Sequence, residues 1–521
     1  MPSTESNVDK KIQGWVVETT LSTPSLKDNT ADTDRLLNAL KRELGLTHIR
    51  ADLGLIKALP QQLREAEYAV RCVLFQEGRD RGVLVHVTAC ASEEILAGLA
   101  VDLGTTRVVL RLVDLARQMV LAETSFDNPQ IAIGPDVLGR VHHADQPGGL
   151  DHLQELIVNG LNHHLAALCR AHGLKPQAIH LVTVAGNTTM SHLLAGLPVH
   201  WMIREPYIPA ANHFGLIPAA QIGLAVHPLA QLMIFPNVGS YFGGDLIAGI
   251  LYTGLHQREE TAILVDVGTN AEVVLGNRDW LMACAGAAGP ALEGGMSRMG
   301  AMAAPGVIDR VRIDQVTGRF ELHTIEALPP RGICGSGVID LAAQLFLAGM
   351  IDIRGKLKPK ACGPRLEVID GLAQLTIVPA DQAAEGRPLR ISQADLDSLV
   401  RSKAAMYTIL ETITMNMGLT LEELPAFLVA GTFGCFIDPR SAITIGMLPD
   451  LPLARFLPMG NTSLGGATQA LLDRRAPAEA EAIRDRITYM ELNVNQEFMN
   501  RFSAAKFIPH TDARRFPSVG R

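Results

Sequence analysis

The chain has 521 residues, 47% of them hydrophobic, and a formal net charge of −8. That length exceeds what one core usually holds, so two or three domains are expected. A net-acidic chain also lacks the basic excess of a protein whose main task is to neutralise nucleic-acid phosphates.

Residues 1–12 read as a disordered polar tail with no apolar signal-peptide core, and no stretch reaches 18 uninterrupted apolar residues. Neither a secretory leader nor a membrane span is therefore expected. A small α+β unit over 13–96 comes next. Its first helix carries Leu36, Leu37, Leu40 and Leu44 on one face, opens at a cap on Asp32 or Thr33 and stops at Gly45. "LPQQLREAEY" reads as a second short helix, and "AVRCVLFQ" and "GVLVHVTA" as strands about the turn "EGRDRG".

From residue 97 the pattern changes. "AGLAVDLG", "RVVLRLVDL" and "QMVLAETSF" are three consecutive strands; a long helical stretch, the strand "IHLVTVAG" and a helix opening at "NTTMSHLLAG" follow. The strand "LMIFPNV" then leads to Gly-rich "GSYFGGD" and an apolar helix. The three-strand meander returns as "TAILVDVG", "AEVVLGN" and "WLMACAG", and the chain closes through a long helix, "AFLVAGTFG" and "MGNTSLGGA". The two meanders lie too far apart for a solenoid repeat and suit a duplicated α/β domain, with halves over 97–260 and 261–521.

Each meander holds Asp-x-Gly-Thr at its first strand end: Asp102, Gly104, Thr105 and Thr106, then Asp266, Gly268, Thr269 and Asn270. One copy reads as a hairpin turn that favours Asp and Gly. Two copies in the same setting read as two phosphate loops, with glycines letting backbone N–H groups approach phosphate oxygens and Asp102 and Asp266 holding Mg²⁺ through its waters. There is no Walker A pattern. The histidine pairs His142–His143 and His163–His164 read as surface residues, Met296, Met299 and Met302 as packing or interface, and Cys334 as a buried thiol. The seven cysteines lack any CxxC, so reduced cytoplasmic thiols are expected rather than disulfides or a local zinc or iron–sulfur loop.

The order DLGTT, GGD-helix, DVGTN, AGTFG, GN-helix resembles the actin, Hsp70 and sugar-kinase superfamily of ATPases. Seven segments narrow this: "NPQIAIGPDVLGR", "VAGNTTMSHLLAG", "FPNVGSYFGGDLIAGI", "GPALEGG", "GICGSGVIDLAAQLFLAGMID", "AGTFGCFIDPRSAITIGMLPD" and "GNTSLGGA" resemble the ATP-dependent reductive activators of corrinoid proteins. The resemblance covers about residues 99–515. It implies a duplicated actin-like (ribonuclease H-like) α/β ATPase core of two lobes preceded by the small α+β domain. It implies Mg²⁺ and ATP as cofactors, and a cytoplasmic protein that helps return an inactive cob(II)amide corrinoid protein of a methyltransferase system to cob(I)amide.

By the same resemblance the two Asp-x-Gly loops are the phosphate loops. Gly431, Thr432 and Gly434 lie on the adenosine side, and Gly460 and Asn461 in the second connecting segment. Asp245 heads the first connecting helix as water-positioner or general base, although helix capping alone also accounts for it. Glu293 would touch the ribose, although a buried carboxylate at a helix start also accounts for it. The family's iron–sulfur domain is not recognised here, so no iron–sulfur cluster is expected in this chain and a separate ferredoxin-like electron donor is. Nucleic acid and membrane are not expected partners, and homodimerisation stays open. Two other readings stand beside the activator: a small-molecule kinase on the same fold, and an ATP-sensing scaffold or remodelling factor for a corrinoid protein.

Overall fold

Alternating apolar residues build the first sheet, in which β1 (Val16–Thr20), β2 (His48–Ala51), β3 (Ala69–Glu77) and β4 (Arg81–Ala89) lie in the order β1-β3-β4-β2. The helices Asp32–Leu44 and Leu53–Glu65 bury Leu36, Leu40, Leu59 and Leu63 in one cluster with Val70, Cys72 and Leu84. The first helix stops at Gly45, in the left-handed conformation at φ 68, as its sequence suggests. Its start differs: the N-cap is Ala31, without a side-chain cap, and the Asp32 carboxylate accepts instead from Arg64 at 2.8 Å. The computed structural model describes residues 14–78, 80–268, 271–286, 299–431, 436–492 and 496–519.

The chain then enters a six-stranded sheet. A meander of β5 (Ala97–Leu103), β6 (Arg107–Asp114) and β7 (Met119–Asp127) pairs antiparallel, and β8 (Ile179–Gly186) runs parallel beside β5. With β9 (Leu216–Pro218) and β10 (Gln231–Ile234) the order is β7-β6-β5-β8-β10-β9. All eight residues of β8 are buried, as befits a parallel strand covered on both faces.

The second meander repeats this plan. The strands β11 (Ala262–Val267), β12 (Ala271–Gly276) and β13 (Leu281–Gly286) pair antiparallel. Two three-stranded sheets are inserted after it, one of β14 (Val307–Ile313), β15 (Phe320–Thr324) and β16 (Gly332–Ile333), the other of β17 (Leu366–Ile369), β18 (Leu372–Val378) and β19 (Leu389–Ser392). The long helix Gln393–Asn416 opens with a Ser392–Asp395 capping box. Finally β20 (Phe427–Ala430), β21 (Phe456–Gly460) and β22 (Ile487–Tyr489) complete the order β21-β20-β11-β12-β13-β22.

Two compact units result: Met1–Tyr252 with Thr462–Arg486, and Thr253–Asn461 with Ile487–Arg521. The helix Thr462–Leu472 thus packs within the first unit. There Thr183 Oγ1 donates to the Ala467 carbonyl at 2.7 Å, and the Trp15 indole N–H donates to the Ala470 carbonyl at 2.8 Å. A Cβ on Gly466 would come within 2.2 Å of the Ala248 carbonyl oxygen, so the helix Gly244–Thr253 approaches through a contact that only glycine permits.

Candidate functional site

The duplication aligns two aspartates. Asp102 sits opposite Ala185 in the β5–β8 ladder, and Asp266 opposite Ala430 in the β11–β20 ladder. Each alanine is followed by a glycine that must be small. A Cβ on Gly186 would lie 2.9 Å from the Leu103 carbonyl oxygen, and one on Gly431, which is left-handed at φ 86, 2.7 Å from Asp266 Oδ1.

In the first unit the turn after Asp102 is held tightly. A Cβ on Gly104 would stand 2.3 Å from the Arg107 carbonyl oxygen, and Asn128 Nδ2 donates to the Gly104 carbonyl at 2.9 Å. Thr105 is buried and its hydroxyl accepts from Asn187 Nδ2 at 2.9 Å. Asn187 also caps the helix Thr188–Ala195, so the segment "VAGNTTM" supports the turn directly. The Thr105 carbonyl accepts from Arg140, whose fully buried guanidinium also donates to the carbonyl of Gly134 at 3.0 Å. Burial brings the Arg140 pKa down to about 10, so the guanidinium stays charged at neutral pH behind the loop. Thr106 is half-buried, and its carbonyl accepts from the Asn128 N–H at 2.8 Å.

Asp102 is half-buried and accepts from Ser463 Oγ at 2.8 Å. Asp245 lies in the first turn of the helix Gly244–Thr253, and its Oδ1 accepts from the Leu246 N–H at 2.9 Å. Desolvation first, and then the charge of Asp102, push its pKa up to about 7. The two glycines before it are steric requirements: a Cβ on Gly243 would meet the Asn187 Cα at 2.4 Å, and one on Gly244 the Phe235 Cβ at 2.7 Å. The arrangement joins an acid that titrates near neutrality to a second acid, Asp102, at the end of the strand that leads into the first Asp-x-Gly turn.

In the second unit Asp266 is half-buried near the end of β11, and a Cβ on Gly268 would meet none of the described residues within 4 Å. Gly460, at φ 74, pairs with Ala430, and Asn461 follows it. Five sequence candidates, Thr269, Asn270, Glu293, Thr432 and Gly434, lie outside the described residues, as does Met296. Met299 is buried and Met302 exposed. Cys334 is buried with its Sγ 3.2 Å from Ser336 Oγ. Ser463, Asn187 and Arg140 were not singled out by sequence reasoning. Their signal was present only as membership in the quoted Gly-rich segments, because a serine or arginine reveals its partner only after folding.

Two Asp-x-Gly meanders, each flanked by a parallel strand ending in Ala-Gly, define a duplicated actin-like α/β ATPase fold. Comparison with known proteins makes this specific. The family description "C-terminal domain of RACo the ASKHA domain" matches residues 260–520, the RACo middle region matches 97–258 and the RACo linker region matches 11–94. The chain belongs to the RACo family. Over 466 residues it is 29% identical to the "corrinoid activation enzyme RamQ" of Eubacterium limosum, covering 86% of this chain and 78% of that one. It is 23% identical over 437 residues to a "[Co(II) methylated amine-specific corrinoid protein] reductase" of Methanosarcina barkeri, covering 77% and 75%. A solved "reductive activator for corrinoid, iron–sulfur protein" superposes with a TM-score of 0.88 at 37% identity, covering 98% of this chain and 82% of that one.

Proposed function

We propose that this chain is a Mg-ATP-dependent activator that promotes reduction of an inactive cob(II)amide corrinoid protein to cob(I)amide for methyl transfer. The observation that carries the reading is the likeness to the solved reductive activator, which extends over 98% of the chain. The residues fit a magnesium nucleotide. Asp102 and Asp266 offer the hard carboxylate oxygens that Mg²⁺ takes through water, and no described residue fills the space beside Gly268 where a phosphate would sit at a strand end. When bound, the ion neutralises phosphate charge.

Asp245 orients water and accepts its proton, with its pKa of about 7 set near the working pH. Asp102 is held for its role by Ser463. Arg140 stiffens the first loop through the Thr105 carbonyl. Thr106, Thr269 and Asn270 complete the phosphate contacts, while Gly431, Thr432, Gly434 and Glu293 serve the nucleoside and Gly460 and Asn461 the connecting segment. The electron that converts cob(II)amide to cob(I)amide comes from a separate low-potential donor, a ferredoxin-like protein. The chain acts in the cytoplasm; among the described residues no helix is long and apolar enough to cross a membrane.

The reading is tested by ADP release in the presence and absence of a cognate cob(II)amide protein. Turnover stimulated by that protein supports an activator. Turnover that instead depends on a sugar or small acid supports a kinase and rejects this proposal.

A further inference from the structure

Three histidines from distant parts of the chain meet beside the small domain. His86 lies on β4, His180 is the second residue of β8, and His227 lies in the segment before β10. One ring nitrogen from each can be chosen so that all three lie within 4.8 Å of one another. The His180 ring sits 4.4 Å from that of His86 and 4.6 Å from that of His227, between ring centres. The His227 backbone N–H donates to the Ile179 carbonyl at 3.1 Å, which fixes this segment against β8.

His180 is the anomaly. It is 0% exposed within a wholly buried strand, and neither of its ring nitrogens has a hydrogen-bond partner among the described residues. Buried polar atoms are nearly always paired, and one without a partner calls for an unseen ligand or another reason. His86 Nε2 lies 3.3 Å from Glu94 Oε2. If it donates there, its Nδ1 carries the free lone pair, in the carboxylate–histidine arrangement that orients metal-bound imidazoles.

We propose that His86, His180 and His227 form a metal site for a zinc-class divalent ion, fastening the small α+β domain to the ATPase sheet. Imidazole nitrogens are donors such ions favour, and the fourth position falls to water or to Glu94. Tetrahedral ligation at 2.0–2.1 Å asks for nitrogens about 3.3 Å apart, so the rings rotate inward on binding. His227 must then give up the 3.2 Å contact in which its Nδ1 accepts from the Leu229 N–H. The half-buried His86 and His227 leave a path from solvent. The site is separate from the first Asp-x-Gly loop: Gly186, beside Leu103, is six residues along β8 from His180, about 20 Å at the rise of a strand. It does not depend on the proposed function.

The test uses the full-length chain, stripped with a chelator, and Zn²⁺ or Co²⁺ alone as probe. Calorimetry and elemental analysis should show one ion per chain, and Co²⁺ should give the intense visible bands of a tetrahedral site. His86→Asn, on a half-buried strand position, and His227→Asn should each lose at least ~100-fold in affinity while keeping the wild-type circular dichroism, and Glu94→Gln ~10-fold or more. The proposal is overturned if no stoichiometric ion binds, if Co²⁺ gives only weak octahedral bands, or if the folded histidine variants bind as tightly as wild type.

Discussion

Ser463 donates its hydroxyl to the Asp102 carboxylate at 2.8 Å across 361 residues of sequence. The residue that steadies the first acidic strand end thus comes from the helix Thr462–Leu472, which the chain reaches only after five of the six strands of the second sheet. If Asp102 holds magnesium waters, Ser463→Ala should weaken Mg-ATP binding by about 10- to 100-fold, in keeping with the roughly 1.5–3 kcal/mol range for hydrogen bonds to charged groups. Asp102→Asn should weaken it further. Titration calorimetry with and without Mg²⁺ checks both, and unchanged Mg-ATP affinity in Asp102→Asn would remove Asp102 from the metal site.

Asp245 gives a prediction with two opposite signs. Its carboxyl is raised in the folded protein from 3.8 to about 7, so the folded state binds more protons than the unfolded state between those values. The stability gained from that proton is fully present below about pH 3.8 and lost as pH rises through about 7. Asp245→Asn removes the titration. The variant should melt at a higher temperature than wild type at pH 8, with the difference shrinking toward pH 5. Its ATP turnover should nevertheless fall by about 10²–10⁴-fold, the usual contribution of a positioned base. Wild-type turnover should rise with pH through about 7, and a flat profile would assign Asp245 to capping alone.

Two glycines separate structure from binding. At Gly466 a methyl group would meet the Ala248 carbonyl, so Gly466→Ala should cost about 1–3 kcal/mol in denaturant unfolding, the range for overpacking. At Gly268 a methyl group would meet none of the described residues within 4 Å. Gly268→Ala should leave stability within about 0.5 kcal/mol, the range for substitutions away from packed features, yet weaken ATP binding. Loss of stability at Gly268 with ATP affinity intact would reverse the roles assigned here.

Much of this architecture was legible in the sequence because its strands are short-period and strongly apolar. The motifs ending in Asp102 and Asp266 marked the two meanders, and the family resemblance carried the actin-like fold and the corrinoid activators. Local chemistry misled at one helix start, where Asp32 could cap but serves Arg64 instead. Contacts formed only in three dimensions were invisible. Nothing near Ser463 points to Asp102, and nothing in the spacing of His86, His180 and His227 points to a cluster. The one hint was a histidine at the start of "IHLVTVAG", a strand otherwise apolar enough to be buried on both faces. The buried Arg140 was hidden similarly, since an arginine among "GPDVLGR" reads as surface until its carbonyl partners are known.

The central claim, activation of a corrinoid protein, is tested most directly by anaerobic absorption spectroscopy of a cognate cob(II)amide protein mixed with a low-potential reductant, Mg-ATP and this chain. The account predicts that the cob(I)amide spectrum grows in only when chain and ATP are both present, and that Asp245→Asn abolishes the growth. Equal cob(I)amide formation without ATP, or without the chain, would contradict it.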